Sequence, residues 1–179
     1  IRVPSHNLAR KLLSSTDCPI AAPSANKFGR MSPTTALHVD EEFGPELTLI
    51  LDGGPCALGL ESTVVDLTTK RPVLLRPGSI TNEAIGAVIG PITTATQHSN
   101  IKSPGMLDRH YAPKASLRLN VSAPVDGEVL VGFGPLAPDG AVNLSPAGDL
   151  LEAATNFFST LRELDSAGNK KLAIMPIPT

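Results

Sequence analysis

The sequence predicts an α/β fold, in which a mixed, twisted sheet with helices is joined by a linker to a small Rossmann-like α/β domain. Over residues 1–92, short apolar runs alternate with amphipathic helical segments in the order β-α-β-α-β-β-β-α. Residues 93–115 are polar and lack periodicity, which is typical of a linker. Strand-like segments around one long amphipathic helix occupy residues 116–179 and predict an incomplete second domain.

Three helices are predicted in the first domain from capping residues and apolar spacing. Ser5 and Ser32 can each accept a hydrogen bond at the start of a helix, and Gly44 is suited to end the second helix. Thr81 can cap a third helix over residues 82–89. The first helix is expected to bury one apolar face, made of Leu8, Ala9, Leu12 and Leu13.

Five short segments of the first domain are predicted as strands. Residues 1–4 and 19–22 are apolar, and residues 47–51 form a run typical of a buried strand. Residues 64–67 follow a glutamate and two hydroxyl residues, and residues 72–75 end beside an arginine. Ligands commonly bind at the carboxyl ends of strands in α/β sheets, so this last strand end is a candidate site.

The second domain is predicted from four strands and one helix. The strands are expected over residues 116–121, 128–133, 141–144 and 172–177, and Gly168 is suited to end the helix. The apolar residues of the helix recur with helical spacing and predict one buried stripe. The stripe comprises Leu150, Leu151, Ala154, Phe157, Phe158, Leu161 and Leu164.

Composition excludes several classes of protein. Fifteen Lys and Arg residues against 17 Asp and Glu residues give a net charge of −2, so no general basic excess favours nucleic acid or an anionic membrane. No apolar run approaches the roughly 20 residues that cross a bilayer, and no signal peptide is evident. Cys18 and Cys56 lack metal-ligand spacing, so we expect two buried thiols without a disulfide in a reducing cytoplasm. Both ends resemble interrupted strands, which predicts a piece of a longer protein.

The densest group of short polar residues lies in residues 21–34, which we call the binding loop. Ser24 and Asn26 flank a small residue, and Gly29 permits a turn. Ser32 and Pro33 resemble a helix start, where free N–H groups and the helix dipole favour an anion such as phosphate. A surface turn that only begins a helix is the alternative interpretation.

The familiar hydrolase motifs and metal clusters are missing from the sequence. It contains no Ser-His-Asp elbow, HExxH motif, Walker loop or catalytic carboxylate pair, and its four histidines are scattered. Cys56 has no cationic partner in the sequence, which favours a small hydrophobic role over that of a nucleophile. His110 is equally compatible with an interface hydrogen bond and with substrate contact. The residues suited to bind phosphate, ribose or carboxylate are Arg2, Ser24, Asn26, Ser32, Ser62, Arg76 and Tyr111.

Each of these residues also has a purely structural interpretation. Arg2 and Arg76 can be solvated charges at a strand end and a turn. The serines can satisfy local backbone groups, and Tyr111 can pack at a domain interface. Single residues therefore do not decide between binding and structure.

A series of motifs resembles the YrdC-like threonylcarbamoyl-AMP synthases in their long, two-domain form. The series runs in matching order and spacing from residue 22 to residue 113, and the second domain is similar more loosely. It comprises APSAN at 22–26, SPT at 32–34, DGG at 52–54, GLESTVVD at 59–66, LRPG at 75–78, SPGM at 103–106 and HYAP at 110–113.

The resemblance implies an enzyme that makes threonylcarbamoyl-AMP and pyrophosphate from L-threonine, bicarbonate and ATP. The product serves threonylcarbamoyladenosine formation in tRNA, so tRNA and tRNA-modification proteins are implied as partners. A Mg²⁺ ion on the phosphates is implied without a dedicated ligand set, and no side chain is assigned as a nucleophile. The HYAP segment would form a lid. The resemblance assigns Arg2, Ala22 and Ser62 to L-threonine, and Ser24, Asn26, Ser32, Arg76 and Tyr111 to ATP.

The resemblance is incomplete, and two other functions compete with it. Family members have a further N-terminal half of the catalytic domain, so we expect negligible product from this 179-residue chain alone. A non-catalytic RNA-binding or regulatory module is the alternative, although no basic stripe with aromatic residues supports it. A related carbamoyl transferase is disfavoured because zinc-finger cysteines and an acylphosphatase-like segment are missing.

Overall fold

The computed structural model describes residues 1–95 and 112–178 and confirms the α/β class. These residues form four α-helices, one 3₁₀ helix and seven strands, which are arranged in a three-stranded and a four-stranded sheet. None of the described helices has the length and apolar composition needed to cross a membrane. The linker limits at residues 93 and 115 remain a prediction, because residues 96–111 lie outside the described part.

The helices of the first region are α1 (Asn7–Ser14), α2 (Ala36–Phe43) and α3 (Asn82–Ile89). The 3₁₀ helix Gly44–Glu46 follows α2 directly, and Gly44 has the positive φ of 49° that ends α2 as predicted. The Thr81 side chain accepts a hydrogen bond from the third residue of α3, so its predicted capping role is confirmed.

The other two predicted caps are wrong. Thr35, not Ser32, caps α2 by accepting a hydrogen bond from His38 N. The helix therefore begins three residues later than expected, and the Ser32 hydroxyl is engaged elsewhere. The helix α1 starts after His6 instead of Ser5, and no side chain caps it.

The first sheet contains β1 (Val64–Asp66), β2 (Val73–Arg76) and β3 (Thr93–Thr94). The strand β1 pairs antiparallel with β2, and β2 pairs parallel with β3, so the sheet is mixed as predicted. The positions of β1 and β2 agree with the predicted strands to within one residue at each end. The short β3 was not predicted, because it lies in a polar stretch without alternation.

Three predicted strands do not form in the described residues: residues 1–4, 19–22 and 47–51 have no strand partner. Apolar composition alone cannot make a strand, because a strand also requires a neighbour that satisfies its backbone groups. Val3 and Leu49 are correspondingly 85% and 72% exposed. The predicted apolar face of α1 is also wrong, since that helix has no fully buried residue.

The second sheet has the strand order β4-β7-β5-β6, and every neighbouring pair is parallel. Its strands are β4 (Ser116–Leu119), β5 (Val129–Gly132), β6 (Val142–Asn143) and β7 (Lys171–Ile174). All four lie where strands were predicted, although β7 is offset by one residue at its start and three at its end. The helix α4 (Leu150–Ser166) precedes β7, as its apolar spacing predicts.

The main hydrophobic core lies between α4 and the second sheet. Phe158 and Leu161 of the predicted stripe are buried there, whereas Leu150 and Leu151 are 50% and 63% exposed. The first turn of α4 therefore departs from the predicted stripe. The core cluster comprises Met31, Ala115, Val131, Leu144, Ala153, Phe158, Leu161, Leu172 and Ile174.

Shortening Leu161 should destabilise the fold strongly. Its side chain is 1% exposed, so Leu161→Ala should lower the free energy of unfolding by about 2–5 kcal/mol, through lost burial and the resulting cavity. Leu151→Ala, on the same helix but 63% exposed, is the matched control and should cost less than about 1 kcal/mol. Equal losses in urea unfolding would contradict the location of the core.

The Arg118–Glu128 pair should make stability depend on pH. Arg118 Nε and Nη2 lie 2.9 and 2.7 Å from the two carboxylate oxygens of Glu128. These hydrogen bonds, and one from Val125 N, lower the pKa of Glu128 from 4.5 to about 2. A lowered folded-state pKa means that the stabilisation is complete above pH 4.5 and is lost as the pH falls towards 2.

The measurement is urea unfolding of wild type and Glu128→Gln between pH 6 and pH 2.5. We expect the wild type to be more stable at pH 6 and its advantage to shrink steadily below pH 4.5. A difference that stays constant over this range would contradict the ion pair.

Candidate functional site

A cavity of about 440 Å³ lies between the binding loop, the turn at residues 52–54, the segment at residues 56–62 and helix α4. This volume falls within the usual range of small-molecule sites. Among the residues that line it are four that sequence analysis singled out for binding: Arg2, Ser24, Ser32 and Ser62.

Arg76 lies behind one wall of the cavity and does not line it. Its Nε donates to the carbonyl of Ser62 at 2.9 Å, and its Nη2 donates to the Ser62 hydroxyl at 3.2 Å. Its Nη1 lies 3.4 Å from Glu61 Oε2. The Arg76 side chain is only 10% exposed, so this buried guanidinium holds Ser62 in place at the cavity wall.

Glu61 connects the binding loop to Arg76, a role that sequence reasoning missed. The Ser32 hydroxyl donates to Glu61 Oε1, while the other carboxylate oxygen faces Arg76. Ser32 therefore anchors the loop to the facing segment instead of capping a helix. The available signal was the GLEST motif, which places a carboxylate beside two hydroxyl residues.

The glycine of the LRPG motif, Gly78, is required by close packing against residues 61–63. A Cβ atom at Gly78 would lie 2.4 Å from both the Glu61 carbonyl oxygen and Thr63 N. The Thr63 hydroxyl also donates to the Ile80 carbonyl at 2.7 Å. The absent side chain at Gly78 thus lets the turn after β2 approach the segment that carries Glu61 and Ser62.

Asn26 braces the binding loop from within. Its Nδ2 donates to the carbonyls of Lys27 and Arg30, both at 3.1 Å. Its buried Oδ1 has no hydrogen-bond partner among the described residues. Asn26 and the exposed Ala22 belong to the loop but are not among the residues that line the cavity. Tyr111, His110 and the motif at 103–106 lie outside the described residues.

Arg162 of α4 also contacts the binding loop, and the sequence analysis did not identify it. It donates to the carbonyls of Met31 and Ser32, with Nε 3.4 Å from the Ser32 oxygen. Its Nη2 lies 3.6 Å from Oε2 of the buried Glu42. The other oxygen of Glu42 accepts a hydrogen bond from Lys27 N at 3.0 Å. A search for apolar residues with helical spacing could not identify Arg162, because such a search finds only the buried stripe of α4.

Burial changes the acidity of two groups beside the site. Desolvation, followed by the charge of Arg162, lowers the pKa of His38, whose Nδ1 accepts a hydrogen bond from Thr34 N at 3.2 Å. Desolvation, followed by Glu61, raises the pKa of the Cys56 thiol. A raised pKa disfavours the thiolate, so Cys56 is poorly suited to act as a nucleophile.

The expectation of two buried thiols is nevertheless wrong. Cys18 and Cys56 are both exposed and unpaired by any disulfide in the described residues. Both lie in loop segments, and Cys56 is only partly shielded from water at the cavity wall. The Cys56 backbone N–H donates to the Thr34 carbonyl at 2.8 Å, which explains how an exposed residue remains part of the cavity wall.

The described residues do not fit a dedicated magnesium site. They contain no group of three or more His, Cys, Asp or Glu side chains placed to hold a metal. Asp52 and Glu61 line the cavity, but Asp52 Oδ1 accepts a hydrogen bond from Gly54 N at 2.8 Å and Glu61 is engaged by Ser32 and Arg76. No chemical step proposed below depends on Mg²⁺.

Two family models match the chain. The model described as "Telomere recombination" matches residues 1–78. The model described as "Threonylcarbamoyl-AMP synthase, C-terminal domain" matches residues 80–178, which is more than half of the chain.

Curated proteins and solved structures agree with these matches. The chain is 40% identical to the threonylcarbamoyl-AMP synthase of Pyrococcus abyssi over 192 aligned residues, which cover 94% of this chain and 55% of that protein. It is 48% identical to the Bacillus subtilis threonylcarbamoyl-AMP synthase over 128 residues, which cover 69% of this chain and 37% of that protein. The crystal structure of P. abyssi Sua5 complexed with L-threonine superposes with a TM-score of 0.84 at 36% identity and covers 99% of this chain and 58% of that one.

The chain thus spans about half the length of the curated relatives that it matches, and nearly all of it corresponds to a solved structure. The motif series and both family models lead to the same group of proteins. This chain belongs to the threonylcarbamoyl-AMP synthase family.

Proposed function

We propose that this chain provides part of the active site of an L-threonylcarbamoyladenylate synthase. The enzyme would make threonylcarbamoyl-AMP and pyrophosphate from L-threonine, bicarbonate and ATP. The observation that carries the proposal is the cavity, which brings together Arg2, Ser24, Ser32 and Ser62 from segments up to 60 residues apart. The complete reaction is a proposal here because the chain covers 55% of its P. abyssi relative.

L-Threonine is assigned to the side of the cavity formed by Arg2 and Ser62. Arg2 would pair with the carboxylate through its guanidinium fork, and the Ser62 hydroxyl would face the substrate. Ala22, near the start of the binding loop, is also assigned to L-threonine. The P. abyssi structure complexed with L-threonine supports this substrate class for the family.

ATP is assigned to Ser24 and Ser32 on the loop side and to Arg76 facing them, with Asn26 supporting the loop. Tyr111, which lies outside the described residues, is assigned to ATP from the resemblance. The contact of Arg76 with Glu61, at 3.4 Å, is the longest of its three contacts described above. We therefore propose that Arg76 turns this end of the guanidinium towards a phosphate when ATP is bound. Ser32 would likewise exchange its bond to Glu61 for one to the nucleotide.

The chemistry requires positioning more than a protein nucleophile. The free amine of threonine attacks the carbon of bicarbonate or carbon dioxide and forms a carbamate. With carbon dioxide the amine gives up one proton to solvent, and with bicarbonate that proton leaves together with the bicarbonate hydroxyl as water. A carbamate oxygen then forms a bond to the α-phosphorus of ATP, while the bond from that phosphorus to the bridging oxygen breaks and pyrophosphate leaves. Holding well-oriented reactants in this way can supply about 7 kcal/mol or more. Hydroxyl and guanidinium donors would stabilise the developing phosphate charge.

The finer architecture belongs to the same proposal. The second sheet with α4 would form a small Rossmann-like domain, and the HYAP segment of the linker would close over the substrates. In one solved structure of P. abyssi Sua5, a histidine and the tyrosine that follows it are both replaced by alanine. This choice of variant supports a role for such a pair of residues. His110 and Tyr111 are the one His-Tyr pair in this sequence. We assign the protein to the cytoplasm, with tRNA and tRNA-modification proteins as partners.

The activity can be tested in a chimaera. In this chimaera, the chain replaces the matching residues of the P. abyssi synthase. The exchange is feasible because the chain superposes on the solved P. abyssi Sua5 structure with a TM-score of 0.84. We expect threonine-dependent release of pyrophosphate from ATP. Pyrophosphate release without threonine, or none from a folded chimaera, would refute the proposed reaction. Tight, salt-dependent tRNA binding without ATP consumption would instead favour the RNA-binding module.

Arg76→Ala should abolish most of that activity. The substitution removes three contacts to Ser62 and Glu61 and leaves a partly buried carboxylate without its cation. We expect a loss of about 100-fold or more in kcat/KM, as is typical when a charge-stabilising donor is removed. Arg76→Lys should recover little, because lysine lacks the planar fork.

Arg71→Ala is the matched control, because Arg71 is an exposed arginine just before β2. It should leave kcat/KM within about twofold of the parent, as expected for a surface charge. Circular dichroism of each variant shows whether the fold is kept. An unchanged rate in a folded Arg76→Ala protein would mean that the site is placed wrongly.

A further inference from the structure

One face of helix α4 contacts both walls of the cavity. Thr155, Phe158 and Arg162 follow one another at spacings of three and four residues, which places them on the same helix face. Phe158 lines the cavity itself. The Thr155 hydroxyl lies 3.1 Å from the Ala57 carbonyl oxygen and 2.9 Å from that of Leu151 in its own helix, and Arg162 donates to carbonyls of the binding loop.

The contact at Thr155 is close enough to constrain the facing segment. A Cβ atom at Gly59 would lie 2.3 Å from the Thr155 carbonyl oxygen and 2.7 Å from that of Ala154. Only the missing side chain at this position permits the approach. The segment that leads to Glu61 and Ser62 therefore rests directly on the backbone of α4.

We propose that Arg162 is a positioning residue that holds the binding loop in the geometry required by the cavity. Its guanidinium donates to the carbonyls of Met31 and Ser32. The Ser32 hydroxyl is not used by this contact and donates to Glu61. The effect of Arg162 on substrate binding rests on the proposed function, whereas its effect on the position of the loop does not.

Charge and burial make this contact specific to arginine. The side chains of Arg162 and Glu42 are 11% and 3% exposed, so water and salt screen their attraction little. Glu42 also accepts the hydrogen bond from Lys27 N and lies 3.6 Å from Arg30 Nη1. One guanidinium thus satisfies two carbonyls and a buried carboxylate at once, which a lysine ammonium cannot reproduce with the same geometry.

The same turn of α4 holds the start of the second domain. Both oxygens of Asp165 accept hydrogen bonds, from Lys114 N at 3.1 Å and from Ala115 N at 2.9 Å. Ala112 N donates to the carbonyl of Gly29 at 3.4 Å. The binding loop and the entry to the second domain therefore share one support.

Hydrogen exchange of this chain in wild type, Arg162→Met and Arg162→Lys tests the proposal without any substrate. Methionine keeps an unbranched apolar stem but lacks the guanidinium and donates no hydrogen bond. The informative amides are those of Lys27, Arg30 and Thr34, which donate to Glu42 Oε1, to the Lys27 carbonyl and to His38 Nδ1, respectively. In Arg162→Met they should exchange about tenfold faster or more, as expected when charge-assisted hydrogen bonds are lost, with Arg162→Lys between the two.

Arg118→Met is the matched control, because Arg118 also bridges a glutamate and a carbonyl, those of Glu128 and Ala123. It should leave exchange in the binding loop unchanged. Wild-type exchange rates in the loop of Arg162→Met would overturn the proposal. A uniform increase over both sheets would overturn it as well, because Arg162 would then support the whole fold and not the loop.

Calorimetric titration with ATP separates this proposal from the proposed function. Where wild type binds ATP, Arg162→Met should weaken the affinity about tenfold, as expected for a displaced loop, and Arg118→Met should not. A folded chimaera with the P. abyssi synthase that binds neither ATP nor L-threonine would count against the proposed function, while the exchange result would still decide the role of Arg162.

Discussion

The cavity depends on the chain of contacts from Ser32 through Glu61 to Arg76. A carboxylate at a partly buried wall is costly unless hydrogen-bond donors and a cation surround it. Ser32 and Arg76 provide these partners from two distant segments, and Arg76 also fixes Ser62 through the carbonyl and the hydroxyl. The two walls that face each other across the cavity are therefore linked by polar contacts.

The apolar support for this polar site comes from the second sheet and α4. Within residues 1–95, Met31 and Leu74 are the hydrophobic residues that are buried, and Met31 belongs to the core cluster built around α4. The binding loop is thus connected to the core of the second region at the same place where Arg162 meets its carbonyls. The stability of the loop should follow the stability of that core, because both rest on one helix.

The chemistry of the site is that of binding. Hydroxyl and guanidinium donors surround the cavity, whereas the thiol of Cys56 has a raised pKa and His38 is engaged with Thr34. A reaction that joins small substrates through their own nucleophiles suits such a site, because the protein then contributes orientation and charge stabilisation.

The sequence by itself determined the α/β class, the strands of the second sheet, the long helix before β7 and the candidate residues of the binding loop. These follow from local periodicity, capping and short motifs, which each segment carries within itself. Tertiary structure alone decided that residues 47–51 form no strand, that Ser32 binds Glu61 instead of capping α2, and that Arg162 reaches the loop. The partners in these contacts are up to 131 residues apart, and a pairing over such a distance is set by how the elements pack and leaves no periodic signal in the chain.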